Sequence, residues 1–347
     1  MGKNRSKKLK VPLLLVFLAA ILFAFFEAEE KSTVTPIEGE IGFYATEGGK
    51  DLRTLYLQAI QGAKKSITLS TFSFNDPQLI RAINEKAESG VAVTVIFDAG
   101  ASPDLPRYLG KKVVYVKRKG PGLTHLKLMV VDHTLTFVGS SNLTTASLKY
   151  YGNLVNTFTD PTFAVWIEKN LLTMTRKGKG DFGGVFKSSL GQFYWMPKAS
   201  GAEEEILRLM IGAKRSIKAA LFTWTRMDFV DALLEAKKRG VAVEVVLDRR
   251  TALGVGRAVL QRLFDGNVPL RLSQSNEMLH YKMMVVDESI LVNGSANWTK
   301  SAFTKNDDCF MIMSDLQEPQ KQFLRSLWKV ILAEGGSPLT DEDMRRL

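Results

Sequence analysis

The chain repeats itself. Gly62-Ala63-Lys64-Lys65-Ser66-Ile67 recurs as Gly212-Ala213-Lys214-Arg215-Ser216-Ile217, and Gly90-Val91-Ala92-Val93 recurs as Gly240-Val241-Ala242-Val243, both at an offset of 150 residues. Asp98 and Asp248 keep the same offset. Self-similarity at a fixed distance marks one structural unit written twice. The 347 residues suffice for two such units, and 45% apolar residues suffice to give them cores. Within each copy, β-rich runs (Val91–Phe97, Val241–Leu247) alternate with helical stretches, which implies α/β layering. Asp76 followed by Pro77 reads as an N-cap and first helical position, and Gly90 closes that helix.

The second copy diverges in length before its most informative segment. His125, Lys127 and Asp132 form a His-x-Lys-x4-Asp pattern that returns as His280, Lys282 and Asp287, at an offset of 155. Five residues are therefore added within 249–279, which reads as a loop or short helix. In both copies six residues separate the Asp from a Gly-Ser-x-Asn tail, Gly139-Ser140-x-Asn142 and Gly294-Ser295-x-Asn297. Of three histidines in the chain, two sit in these motifs.

On a strand, positions i and i+2 share a face, so each His and Lys point the same way. The small Gly-Ser pairs would let backbone approach a ligand closely. An imidazole beside an ammonium and amide donors suits phosphoryl transfer, where positioning and charge stabilisation dominate. One imidazole can attack phosphorus while the other protonates the leaving oxygen, if the two copies face each other across a pseudo-two-fold axis. Metal binding fits less well, because paired lysines repel a cation and zinc needs three or four ligands. Asp132 and Asp287 have two readings: a part in the chemistry, or binding of nearby backbone N–H groups.

These motifs resemble those of the phospholipase D superfamily, and the resemblance spans roughly residues 41–330. It implies two tandem α/β/α sandwich units, one shared site and no metal or other cofactor. It implies a phosphohistidine intermediate with His125 as nucleophile and His280 as acid, and with Lys127, Lys282, Asn142 and Asn297, with Ser140 and Ser295, holding phosphate. Family members carry an imidazole-orienting carboxylate about eleven residues past the Asn. Asp308 stands there in the second copy, but the first has Asn153. The two histidines are therefore expected to be electrostatically unequal. The implied activity is a phosphodiesterase cleaving or transferring a phospholipid head group, with a metal-independent nuclease as the alternative. A binding module without activity would not require both histidines.

Outside the motifs, residues 1–30 read as a targeting segment: a basic stretch, then an uncharged apolar run from Val11 to Phe26. A signal anchor with the body outside the cytoplasm is expected, a cleaved signal peptide being the alternative. Residues 31–40 read as a tether. The units are expected at 41–180 and 190–335, divided in the Gly-rich, basic stretch 176–191. Five of the +11 net charges lie in the first ten residues, leaving +6, a mild preference for anionic partners such as phospholipid or nucleic acid. With both half-sites in one chain, a monomer is expected. The basic cluster Lys111, Lys112, Lys117, Arg118 and Lys119 reads as a solvated face able to steer phosphate. Arg249, Arg250, Arg257 and Arg262 read as cleft mouth or plain surface. His133 reads as a surface residue, Cys309 as buried and inert, and Trp298 as core; Trp195 and Trp224 fit core or site equally.

Overall fold

A computed structural model describes residues 40–46, 51–174 and 181–347, all within one compact unit, Glu38–Leu347. The targeting segment lies outside the described residues, as does all of the tether except Glu40. Among the described residues no helix is long and apolar enough to cross a membrane.

Each copy builds one mixed sheet. The first contains β1 (Ile41–Ala45), β2 (Ser66–Thr71), β3 (Ala92–Asp98), β4 (Val114–Arg118), β5 (Lys127–Val131), β6 (Leu135–Gly139) and β7 (Leu154–Thr159), in the order β1-β7-β6-β5-β2-β3-β4. The second contains β8 (Gly184–Ser188), β9 (Gly191–Met196), β10 (Ser216–Leu221), β11 (Ala242–Leu247), β12 (Leu270–Leu272), β13 (Lys282–Val286), β14 (Ile290–Gly294) and β15 (Asp308–Met313). Their order, β12-β11-β10-β13-β14-β15-β9-β8, repeats that of the first with a hairpin at one edge. That hairpin, β8 and β9, occupies part of the stretch that lacks periodicity in the sequence, so the second sheet begins at Gly184 rather than 190.

Strand alternation divides each sheet between two cores. In the first copy Met129 and Val131 face outward, onto the helices Leu52–Gly62 and Pro77–Glu88. Leu128 and Val130 face inward, into a core shared with Met283 and Val285 of the second sheet. The helices Pro161–Thr173 and Glu318–Gly335 complete this inner layer with Phe163, Ile167, Leu327 and Trp328. Asp76 caps its helix as expected, its carboxylate accepting from the Gln78 and Leu79 amides. At the centre Asn293 Nδ2 donates to Asn156 Oδ1 (2.8 Å) and to the Leu154 carbonyl (3.2 Å), tying the two sheets together.

The added segment of the second copy forms the helices Arg249–Leu253 and Arg257–Asp265, followed by β12. Its counterpart in the first copy is a single 3-10 turn, Leu105–Arg107, followed by β4.

Candidate active site

The two motifs meet where the inner faces open. Lys127 begins β5 and lies opposite Thr71 at the end of β2; Lys282 begins β13 and lies opposite Leu221. The histidines precede these strands on extended lead-ins. Each lead-in is pinned by a carboxylate at the C-terminal end of a parallel strand, Asp98 as the last residue of β3 and Asp248 directly after β11. Asp98 Oδ2 accepts from the Thr124 amide at 3.0 Å, and Asp248 Oδ2 from the Leu279 amide at 3.2 Å. Each lead-in also bonds to the other copy: His125 N–H donates to the Asp307 carbonyl, and Gly152 N–H to the Met278 carbonyl.

The orienting contacts cross between copies. His125 Nδ1 lies 2.8 Å from Asp308 Oδ1, and His280 Nδ1 lies 3.0 Å from Asn153 Oδ1. Each acceptor is braced by the serine of its own motif tail: Ser295 Oγ donates to Asp308 Oδ1 (2.7 Å) and Ser140 Oγ to Asn153 Oδ1 (2.8 Å). An acceptor at Nδ1 holds a proton there and leaves Nε2 as the atom free for chemistry. Both serine hydroxyls are wholly buried in these bonds, so Ser140 and Ser295 brace the orienting residues instead of facing a phosphate. The tail glycines likewise make room for backbone. A Cβ on Gly139 would sit 2.6 Å from the Leu154 carbonyl oxygen, and one on Gly294 would sit 2.3 Å from that of Cys309.

Lys127 Nζ donates to the His125 carbonyl and Lys282 Nζ to that of His280, both at 2.7 Å. Phe72 lies against the first pair, 5.1 Å from the His125 ring and 5.4 Å from Lys127 Nζ. Phe222 does the same at 4.8 Å from both His280 and Lys282 Nζ. One aromatic ring thus lies against the imidazole and the ammonium of its own copy. Asn142 and Asn297 are half-buried, and each has an Oδ1 that is buried without a partner.

Burial and crowded positive charge unload these groups. Lys127 is pushed down to about 7, chiefly by burial, with Asp308 acting against the fall. Lys282 falls well below the ordinary range, from burial and from Lys127. His280 also falls well below its usual value, from burial, both lysines and His125. His125 is lowered by burial too, but Asp308 opposes that and partly restores it. Asp308 itself stays below the usual carboxylate range: burial alone would raise it, and His125 and Lys127 outweigh burial. The imidazoles and ammoniums therefore form one electrostatic unit, and of the two imidazoles only that of His125 has a carboxylate, Asp308, as its hydrogen-bond partner.

The motif aspartates lie at the far end of the strands. Asp132 takes φ 52° and His133 φ 60°, Asp287 φ 52° and Glu288 φ 57°, the paired left-handed residues of tight hairpin turns. The Asp132 carboxylate accepts from the amides of Lys64, Lys65 and Ser66; Asp287 accepts from those of Lys214, Arg215 and Ser216. Neither makes a hydrogen bond to a motif histidine or lysine. The structure thus gives both the backbone-binding role.

Other residues sort similarly. Arg118 is buried rather than part of a solvated face: it donates to Asp307 Oδ2 at 2.6 Å and to Thr124 Oγ1, and lies over Phe182. Arg249, Arg250 and Arg262 are exposed and Arg257 half-exposed; Arg262 pairs with Asp231. His133 is exposed and pairs with Glu168. Cys309 is buried, its thiol pushed up to about 12. Trp195 joins the inner core, while Trp224 and Trp298 pack edge-to-face in the outer core of the second copy. Phe72, Phe222, Asp98, Asp248 and the Arg118–Asp307 pair are site-building residues to which the sequence reading gave no such role. The first four keep the 150-residue offset, which is the signal that could have found them.

The comparisons with known proteins fit this geometry. The sequence model described as "Cardiolipin synthase, PLD-like domain" matches residues 56–175 and again 206–330. The chain belongs to the phospholipase D superfamily. Over 137 residues it is 32% identical to a mitochondrial cardiolipin hydrolase of Xenopus laevis, covering 39% of this chain and 64% of that protein. It is 27% identical over 201 residues to the probable cardiolipin synthase YwiE of Bacillus subtilis, covering 54% of this chain and 38% of that protein. The matches thus span less than two thirds of these relatives' own length. In fold it is similar to phosphatidylserine synthase of Haemophilus influenzae, with TM-score 0.65 at 14% identity over 90% of this chain and 91% of that one.

Proposed function

We propose that this protein is a phospholipase D-type phosphodiesterase that cleaves or transfers a phospholipid head group. The observation that carries this reading is the crossed pair of oriented imidazoles, each beside its own buried lysine. In the proposed cycle His125 Nε2 attacks phosphorus, and the bond to the leaving oxygen breaks as His280 gives it a proton. Asp308 holds the Nδ1 proton and offsets the positive charge that His125 gains as a phosphoimidazolium. Neutral His280 then takes a proton from water or another alcohol, whose oxygen displaces His125 from phosphorus. Lys127, Lys282, Asn142 and Asn297 orient the phosphate oxygens. An arriving phosphodiester anion favours the charged forms of the site's lysines and of His280, which makes substrate binding and proton uptake one event.

The apolar run Val11–Phe26 would hold the body beside a bilayer on its extracytoplasmic side, and the chain would act as a monomer. The test offers the full chain phospholipid vesicles and single- and double-stranded DNA together, in EDTA, with His125→Ala as the blank. Head groups released only by the wild type are the expected result. Cleaved DNA with intact lipid would make this a nuclease instead.

A further inference from the structure

The two lead-ins meet the opposite copy with unequal grips. Residues 122–125 run along 305–307 of the second copy. Asp307 N–H donates to the Leu123 carbonyl (2.8 Å), and the Asp307 carbonyl accepts from the His125 N–H (2.9 Å). Asn306 Oδ1 accepts from the Leu123 amide (3.1 Å), and a Cβ on Gly122 would run into the Lys305 carbonyl. At the other seam Gly152 N–H donates to the Met278 carbonyl (2.9 Å), which repeats the first of these bonds. Among the described residues no carbonyl accepts from the His280 N–H.

Arg118 makes the largest difference. Its buried guanidinium forks, Nη2 donating to Asp307 Oδ2 (2.6 Å) and Nε to Thr124 Oγ1 (3.1 Å). Thr124 Oγ1 also donates to Asp307 Oδ2 (3.3 Å), so three side chains close a ring around the residue that precedes His125. A planar guanidinium can hold two such acceptors at once, which a lysine ammonium does not reproduce. At the offset of 155 residues the places of Arg118, Thr124 and Asp307 are taken by Ser273, Leu279 and Gly152, which cannot form an ion pair. Asp308 follows Asp307 directly and holds His125 Nδ1. The ring therefore ties the main chain of His125 and the root of its orienting carboxylate into one frame.

We propose that Arg118, Thr124 and Asp307 are positioning residues for His125, fixing its imidazole for attack on phosphorus, and that His280 has no equivalent. The inference rests on the phosphodiesterase reading. It makes the two imidazoles unequal in how firmly they are held as well as in what holds them. A reacting atom misplaced by about 1 Å can cost roughly 10²-fold in rate, so the clamp should show in kcat.

The test replaces the pair in the full chain by apolar side chains, Arg118→Met together with Asp307→Leu, an exchange that buried ion pairs often tolerate without loss of stability. On bis(p-nitrophenyl) phosphate kcat should fall about 10- to 100-fold, with KM within about twofold of the wild type. Arg118→Lys, which keeps the charge but not the fork, should fall between. The chain has three histidines, so the Nδ1 protons of His125 and His280 can be followed by NMR in 15N-histidine-labelled protein, assigned with His125→Ala and His280→Ala. The His125 signal should shift or broaden in both clamp variants while that of His280 stays. A kcat within about twofold of the wild type, a loss carried by KM alone, or equal changes at both imidazoles overturns the proposal. If the double variant does not fold, Arg118→Lys decides by the same readings. If the wild type fails to hydrolyse the diester, the phosphodiesterase reading falls, while the two imidazole signals still decide the clamp.

Discussion

His125 and His280 stand at equivalent places in a duplicated fold, yet they are held by different chemistry. His125 leans on a carboxylate, Asp308, and His280 on an amide, Asn153. The surroundings enforce this difference. Asn153 Nδ2 donates to the carbonyls of Ser147 (2.8 Å) and Tyr151 (3.1 Å), so a carboxylate there would face two lone-pair-bearing oxygens. Around Asp308 the neighbours are donors instead: Ser295 Oγ, and Asn306 Nδ2 at 3.4 Å. Duplication supplies the geometry, and a few local donors and acceptors give identical side chains different partners.

The widest test of this contrast is the loss of each imidazole. His125→Ala and His280→Ala should each cut turnover of a phospholipid at least about 10⁴-fold, as when a residue of a catalytic unit is removed. The two should part company on bis(p-nitrophenyl) phosphate, whose leaving group needs no acid. His280→Ala should release one equivalent of p-nitrophenol in a burst, and His125→Ala none. A burst from His125→Ala would exchange their roles.

Next in size is Asp308→Asn, which makes the two sides alike. It should lower kcat by about 10²- to 10⁴-fold while leaving the protein folded, because an amide cannot offset an imidazolium. A kcat near that of the wild type would mean the carboxylate matters only for orientation.

The motif aspartates should show where the copies agree. Asp132→Ala and Asp287→Ala should each cost about 1–2 kcal/mol in denaturant unfolding, as lost caps on backbone N–H groups do, with kcat retained. A selective loss of kcat in either would return that residue to the chemistry.

A different effect is expected from Lys127→Met, which should stabilise the empty protein while removing activity. The folded Lys127 is pushed down to about 7 from 10.5, so the unfolded chain binds the proton first as pH falls. The gain in Tm should accordingly be absent above pH 10.5, grow as pH falls toward 7 and stay level below that. The smallest and most local effect belongs to Asn153→Asp. Facing carbonyls raise the new carboxyl, so its stability should match the wild type in acid and decline as pH rises through its folded pKa. A Tm that held up at neutral pH would show that the first copy can accept the second copy's chemistry after all.

Much of this was legible in the sequence, for definite reasons. The repeat, the motif spacing and the Asp76-Pro77 helix start are local patterns, and local patterns survive without tertiary knowledge. The hairpin β8–β9 did not announce itself, because Gly184 and Gly191 carry its backbone at φ 122° and 138° and interrupt any alternation. Asp308 and Asn153 could be placed near an imidazole by their spacing, but not assigned to the opposite copy. That crossing depends on how two sheets pack, and no stretch of sequence records it. Ser140 and Ser295 show the same limit. A hydroxyl two residues from an Asn proposed to hold phosphate looks like another phosphate ligand until its actual acceptor, 13 residues along the chain, is seen.

The crossed orientation also constrains how such a protein can change over generations. Each half carries an imidazole whose bearing is set by a residue in the other, so neither half can be improved, replaced or lost on its own. Asn153 holds a side chain 127 positions away, and Asp308 reaches 183 positions back. Selection on the site therefore acts on the seam between the copies, and the two halves of the gene are bound to a common fate.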